Sequence, residues 1–136
     1  MSNLVINTHL NLLQYTSSST NDTWDLIKSS DSYLADTSKV YLIYGFNDND
    51  SDLENDLTRA KSLSCHGNDC NGLWNREHIF PKSLANPEMN TNYPGTGTDV
   101  HNLRSCDYGT NSTRGNLKFI DGNGSSGMSN NYWYPG

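Results

Sequence analysis

The chain has 136 residues, a formal net charge of -6 and only 33% apolar residues, with a mean hydropathy of -0.76. That length gives room for one modest core and hence one domain, and no apolar run approaches the ~20 residues of a membrane-spanning helix, so no membrane partner is expected. Aromatic residues reach 10% against a background of Asn, Ser, Thr, Asp and Gly, which argues against a disordered chain and for a loop-rich folded domain.

In chain order, Leu4, Ile6, Leu10 and Leu13 mix i+3 and i+4 spacings and predict an amphipathic helix over residues 3–14. His9 within it reads as a surface histidine, since it carries no partner signal. After a polar connector, Asp22 or Thr23 is placed to cap a second helix through Trp24, Leu26 and Ile27 as far as residue 30. Residues 39–44 are β-prone and nearly all apolar, which predicts a buried central strand ended by Gly45. Asp48, Asp50 and Asp52 fit positions 1, 3 and 5 of a calcium loop, but Leu53 and Arg59 stand where such a loop needs glycine and glutamate, so a plain solvated loop is the reading.

Three cysteines leave an odd one. A disulfide, either Cys65 to Cys70 or one of these to Cys106, is favoured over a structural zinc held by Cys65, Cys70, Cys106 and His66, because the C-x4-C spacing is unusual for zinc.

Residues 74–83 gather a carboxylate, an imidazole and several cationic or polar groups around a short apolar stretch. Ile79 and Phe80 favour extended backbone and Pro81 ends it, which predicts a strand up to the proline. Alternation puts Glu77 and His78 on opposite faces, so they share one centre only across a bulge or from two sides of a bound metal and water. Residues 87–97, rich in Asn, Pro, Gly and Thr, form a long connection in which Tyr93 is placed to anchor the loop or to stack on a base. Residues 117–120 offer one more short strand, residues 121–131 a glycine- and serine-rich loop, and residues 132–136 an aromatic end with Trp133 and Tyr134 exposed.

Taken together, Asn75-Arg76-Glu77-His78 with Phe80-Pro81-Lys82-Ser83, then Asp99-Val100-His101-Asn102-Leu103-Arg104, then Asn111-Ser112-Thr113-Arg114-Gly115-Asn116 resemble the endonuclease I family, ββα-metal (His-Me finger, HNH-like) nucleases. The resemblance implies an α+β fold: a hairpin-plus-helix core over residues 38–136, with N-terminal helices over residues 1–37 and a small mixed sheet. It implies His78 as general base, Glu77 and Asn111 as ligands of a divalent metal, and Asn102 as the asparagine that pins the hairpin loop. On this likeness residues 100–103 would form the second strand and residues 105–111 the helix. Phosphate binding or support falls among Arg76, Lys82, Arg104 and Arg114, since no separate phosphate-binding arginine is matched between the two stretches. Members of this kind continue past the Tyr-Pro-Gly equivalent into a further helix, which implies a chain shortened at its C-terminus.

The residue types suit phosphodiester hydrolysis, which needs a water stripped of a proton and a cation at the crowded phosphate. Hard oxygen ligands such as a carboxylate and an amide favour magnesium, with manganese or calcium as other occupants. The expected function is a metal-dependent, non-specific endonuclease acting as a monomer on DNA, with RNA a further substrate. The alternative is an inactive metal- or nucleic-acid-binding module of the same fold. The acidic charge is unevenly spread: residues 1–56 hold nine acids against Lys28 and Lys39, whereas residues 57–120 hold seven bases against five acids, a balance of +2. Modest, salt-sensitive binding follows from that. The first thirty residues lack the basic start and apolar core of a signal peptide, as a mature secreted protein also would. The glycosylation sequon Asn111-Ser112-Thr113 sits on the expected metal ligand, which favours a bacterial source.

Overall fold

The structure is a computed structural model that describes residues 13–122 and 124–135. The helix expected over residues 3–14 and His9 lie almost wholly outside the described residues. What is described is α+β: two short helices and three small sheets, joined by long loops.

Helix α1, Thr23–Ser30, begins where the sequence places a cap. The Asp22 carboxylate accepts from the Trp24 and Asp25 amides, and the Asp25 carboxylate accepts from the Asp22 amide, so three otherwise orphaned donors are satisfied. The helix buries Trp24 and Ile27 against Val40, Leu42, Trp74 and Leu103. Each such aliphatic side chain contributes about 1.5–3 kcal/mol by leaving water.

The central strand expected over residues 39–44 is shorter. Strand β1, Lys39–Tyr41, pairs antiparallel with β2, Thr58–Ala60, and the chain then crosses to meet Cys106 through an isolated parallel bridge at Ile43. Tyr44 explains the break: it adopts φ 74°, a left-handed conformation that a strand cannot continue through. Gly45 follows because a Cβ there would run into the Asp56 carbonyl.

Strand β3, Trp74–His78, pairs antiparallel with β4, Leu103–Asp107, in unbroken one-to-one register from Trp74↔Asp107 to His78↔Leu103. Helix α2, Tyr108–Arg114, follows directly, capped by the Asp107 carboxylate on the Thr110 amide at 2.9 Å. These boundaries correct the expected ones. Residues 100–102 form a 3-10 turn rather than strand, and the pairing runs on to Asp107 because Ser105 and Cys106 are buried between Asp31, Tyr41 and Ile43. Strand β3 likewise stops at His78, three residues before Pro81. Asp107 also forms a buried ion pair with Arg59 at 2.5 Å, and Arg59 reaches the carbonyls of Leu53 and Leu73, which ties the acidic 47–57 loop to the hairpin. In that loop Asp48 is occupied by the Leu57 and Thr58 amides, and among the described residues no group of three or more His, Cys, Asp or Glu is placed to hold a metal.

Strands β5, Lys118–Phe119, β6, Ser126–Ser129, and β7, Tyr132–Pro135, form the third sheet in the order β5-β7-β6. Part of the expected glycine-rich loop is therefore strand, and the expectation of an exposed Trp133 is overturned. Trp133 is 3% exposed and packs on Tyr44 and Cys106, because pairing of β7 on both sides turns its side chain into the second core cluster.

Candidate active site

Strand β3 positions the site by its alternation. Glu77 faces Tyr44 and Arg114, while His78 faces Tyr15 and the turn at residues 95–98. Since the ladder has no bulge, the two side chains meet one cleft from opposite faces at the strand's end. That cleft, of about 390 Å³, is lined by Glu77, His78, Lys82, Glu88, Asn111 and Asn116 among others.

His78 is 7% exposed, and its Nε2 lies 2.8 Å from the Gly97 carbonyl oxygen. A carbonyl only accepts, so Nε2 carries the proton and the neutral ring keeps its lone pair on Nδ1. Burial, with Lys82 and Arg76 nearby, lowers the His78 pKa despite the Gly97 bond, so the neutral form is favoured. Gly97 reaches the imidazole because its missing Cβ leaves room for the Asn90 carbonyl, and Thr98 closes the turn back onto Gly95.

Glu77 is 3% exposed; Arg114 donates to its Oε1 at 2.7 Å and the Tyr44 hydroxyl at 3.0 Å. Burial pushes its carboxyl up to about 7, against the pull of Arg114, Tyr44 and the His78 amide. Tyr44 itself is raised, by burial first and Glu77 next, and so stays protonated as a donor. Asn111 Nδ2 donates to Asn75 Oδ1 at 2.7 Å and to the Arg76 carbonyl at 3.3 Å. That carbonyl fixes the amide's orientation, because the reverse would set two acceptors against each other, and it turns Asn111 Oδ1 away as an acceptor without a described partner.

The four expected cationic residues separate. Lys82 lines the cleft. Arg114 is 1% exposed and bonds Glu77 and the His78 and Ile79 carbonyls, so it holds the strand end to α2 rather than meeting solvent. Arg104 lies beside Asp31, Tyr41 and Ile43 on another surface. Arg76 is stacked between Tyr15 and Trp24 at the edge of the cleft. Asn102 bonds both backbone groups of Phe80, at 2.7 and 3.0 Å, across the hairpin opening.

Cys65 and Cys70 form a disulfide with a Cα–Cα distance of 5.7 Å, and Cys106 is a buried free thiol. The zinc alternative therefore fails, since two of its ligands are bonded to each other.

Residues 3–133 match the family described as Endonuclease I. The chain belongs to the endonuclease I family. It is 35% identical over 108 residues to an extracellular ribonuclease of Bacillus amyloliquefaciens and 33% identical over 108 residues to one of Bacillus subtilis (strain 168). Each match takes in 79% of this chain and 32% of the relative, so the chain spans about a third of the length of the curated relatives it matches. No solved structure matches it significantly.

The endonuclease I match encloses every site residue named from the sequence. Tyr44, Gly97 and Tyr15 were not among them. Each meets Glu77 or His78 across 19 or more positions, which no local pattern encodes. Asn75 stood in the motif, and only its contact with Asn111 shows what it does.

Proposed function

We propose that this endonuclease I chain is a metal-dependent endonuclease hydrolysing the phosphodiester bonds of DNA and RNA, with the β3, β4 and α2 unit as its ββα-metal finger. The observation that carries the reading is the convergence on one cleft of a histidine whose Nδ1 has no described partner, a buried carboxylate and an amide oxygen without a described protein partner. His78 Nδ1 takes the proton of the attacking water. Gly97 holds the ring in the tautomer that can do so.

The residues fit a divalent cation. Asn111 Oδ1 has no described partner, Glu77 Oε2 has no side-chain partner among the described residues, and a carboxylate whose burial is unfavourable is relieved by a cation. One carboxylate and one amide leave most of the shell to water and phosphate, which suits magnesium, and manganese or calcium also. When bound, the cation would neutralise charge on the crowded phosphate and the departing oxygen. Lys82 meets the phosphate from the other rim of the cleft.

RNA stands beside DNA because the relatives are named ribonucleases and the described site offers contacts to phosphate rather than an element shaped to read a groove. Secretion is proposed on the disulfide and on the relatives' description as extracellular. Supercoiled plasmid and a single-stranded RNA, each incubated with magnesium, with EDTA and with His78→Ala, test the reading. Magnesium-dependent cleavage abolished by the variant is expected. No cleavage of either polymer by the wild-type chain would reduce the site to a binding module.

A further inference from the structure

Beside the cleft lies a second cavity, of about 220 Å³, built from four separate segments and walled by Tyr15, Thr16, Trp24, His66, Asn75 and Arg76. Arg76 belongs to both. Its guanidinium sits 3.4 Å from the Tyr15 ring centroid and 4.1 Å from that of Trp24, and it donates to the Tyr15 carbonyl and to the Thr23 and Thr16 hydroxyls. All three acceptors are neutral. Among the described residues no carboxylate pairs with Arg76, and nearby Asp22 is engaged by the Ser17 and Trp24 amides. The buried Asp22 carboxylate favours the Arg76 charge without forming an ion pair with it, so the half-buried guanidinium is left for an anion in the cavity to complete.

The polar groups around it are turned the same way. Asn75 Oδ1 faces Asn111, so its Nδ2 points elsewhere and has no described partner. Thr16 accepts from Arg76, which leaves its own O–H to donate. His66, stacked on Trp24 at 4.2 Å, is held below its usual range first by burial and then by Lys28 and Arg76, against the opposing pull of Asp22. Donors and positive charge with no acidic wall suit a phosphate.

We infer that this cavity is a second phosphate subsite, which takes a phosphodiester flanking the scissile one in the same strand. The inference rests on the nuclease reading of the adjoining cleft, and it gives that reading a minimum substrate of three nucleotides for full affinity. The Tyr15 ring, stacked on His78 at 5.8 Å and against Arg76, joins the two positions.

The test is tryptophan fluorescence titration in EDTA, where nothing is cut, so it succeeds or fails independently of catalysis. The ligands are a trinucleotide with two phosphodiesters and its two versions with one linkage made neutral as a methylphosphonate. Losing the flanking charge is expected to weaken binding to the wild-type chain about tenfold, the worth of one charge-assisted contact. In His66→Glu and in Thr16→Val the parent trinucleotide should bind correspondingly less tightly, and one of the two neutral linkages should no longer matter. Two variants on different segments guard against a folding defect in either. A neutral linkage with no effect at either position, or the same effect in the variants as in the wild type, would overturn the subsite. Inorganic phosphate binding as tightly as the trinucleotide would also overturn it, by assigning the cavity to the free ion.

Discussion

His78 and Gly97 stand 19 positions apart, and the 2.8 Å bond from the imidazole Nε2 to the glycine carbonyl decides which ring nitrogen is basic. Removing the ring in His78→Ala should lower kcat by about 10²- to 10⁴-fold, the usual worth of a positioned general base, with magnesium affinity retained. Gly97→Ala should also lower kcat, since its Cβ would meet the Asn90 carbonyl and shift the turn. Steady-state kinetics beside a magnesium titration check both, and near-normal cleavage by His78→Ala would remove it as the base.

Glu77 sets a pH dependence distinct from that of His78. Its carboxyl is pushed up to about 7, so protons compete with a cation below that pH. His78 is lowered from 6.5 and becomes protonated only at still lower pH. The acid limb of the rate profile should therefore move to lower pH as magnesium rises. Magnesium should also raise the melting temperature more at pH 8 than at pH 6. An acid limb fixed at every magnesium concentration would assign it to a group other than Glu77. Without metal the signs oppose: raised Glu77 contributes stability that is lost as pH rises from 4.5 through about 7, whereas lowered His78 gains it as pH rises toward 6.5.

Asn111→Ala removes the amide oxygen and also frees the Asn75 side chain. It should raise the magnesium concentration needed for half-maximal rate, with little change at saturation. An unchanged requirement in the alanine variant would place the ligand elsewhere.

The cysteines give a count. The native chain should show no reactive thiol and the unfolded, unreduced chain one, from buried Cys106. Three thiols on unfolding would mean that the disulfide does not form. The bridge spans five positions, and its removal should cost about 2 kcal/mol by the loop-entropy relation, seen in the denaturant midpoint.

Trp133→Ala should destabilise by about 3–5 kcal/mol, the cost of emptying a large aromatic site. Trp133 packs edge-on against Tyr44 at 5.4 Å, so the loss should also loosen the hydroxyl that holds Glu77. Urea melts of the variant check this, and a change below about 1 kcal/mol would mean that the ring is not a core residue.

By itself the sequence determined the α+β class and the cap at Asp22, because capping and short-range patterns act between near neighbours in the chain, whereas the grouping of Glu77, His78 and Asn111 was an expectation drawn from the family likeness. It also fixed the family likeness, which depends on residue order and spacing alone. The division of the arginines was decided only by the fold: Arg114 and Arg104 look alike in sequence, and burial makes one a clamp on Glu77 while the other stays beside Asp31. The extent of β4 and the burial of Trp133 were likewise tertiary, since both depend on partners tens of residues away. So was the basic nitrogen of His78. A hydrogen bond between distant residues forms only once the fold has brought them within 3 Å, and no periodicity along the chain records that approach.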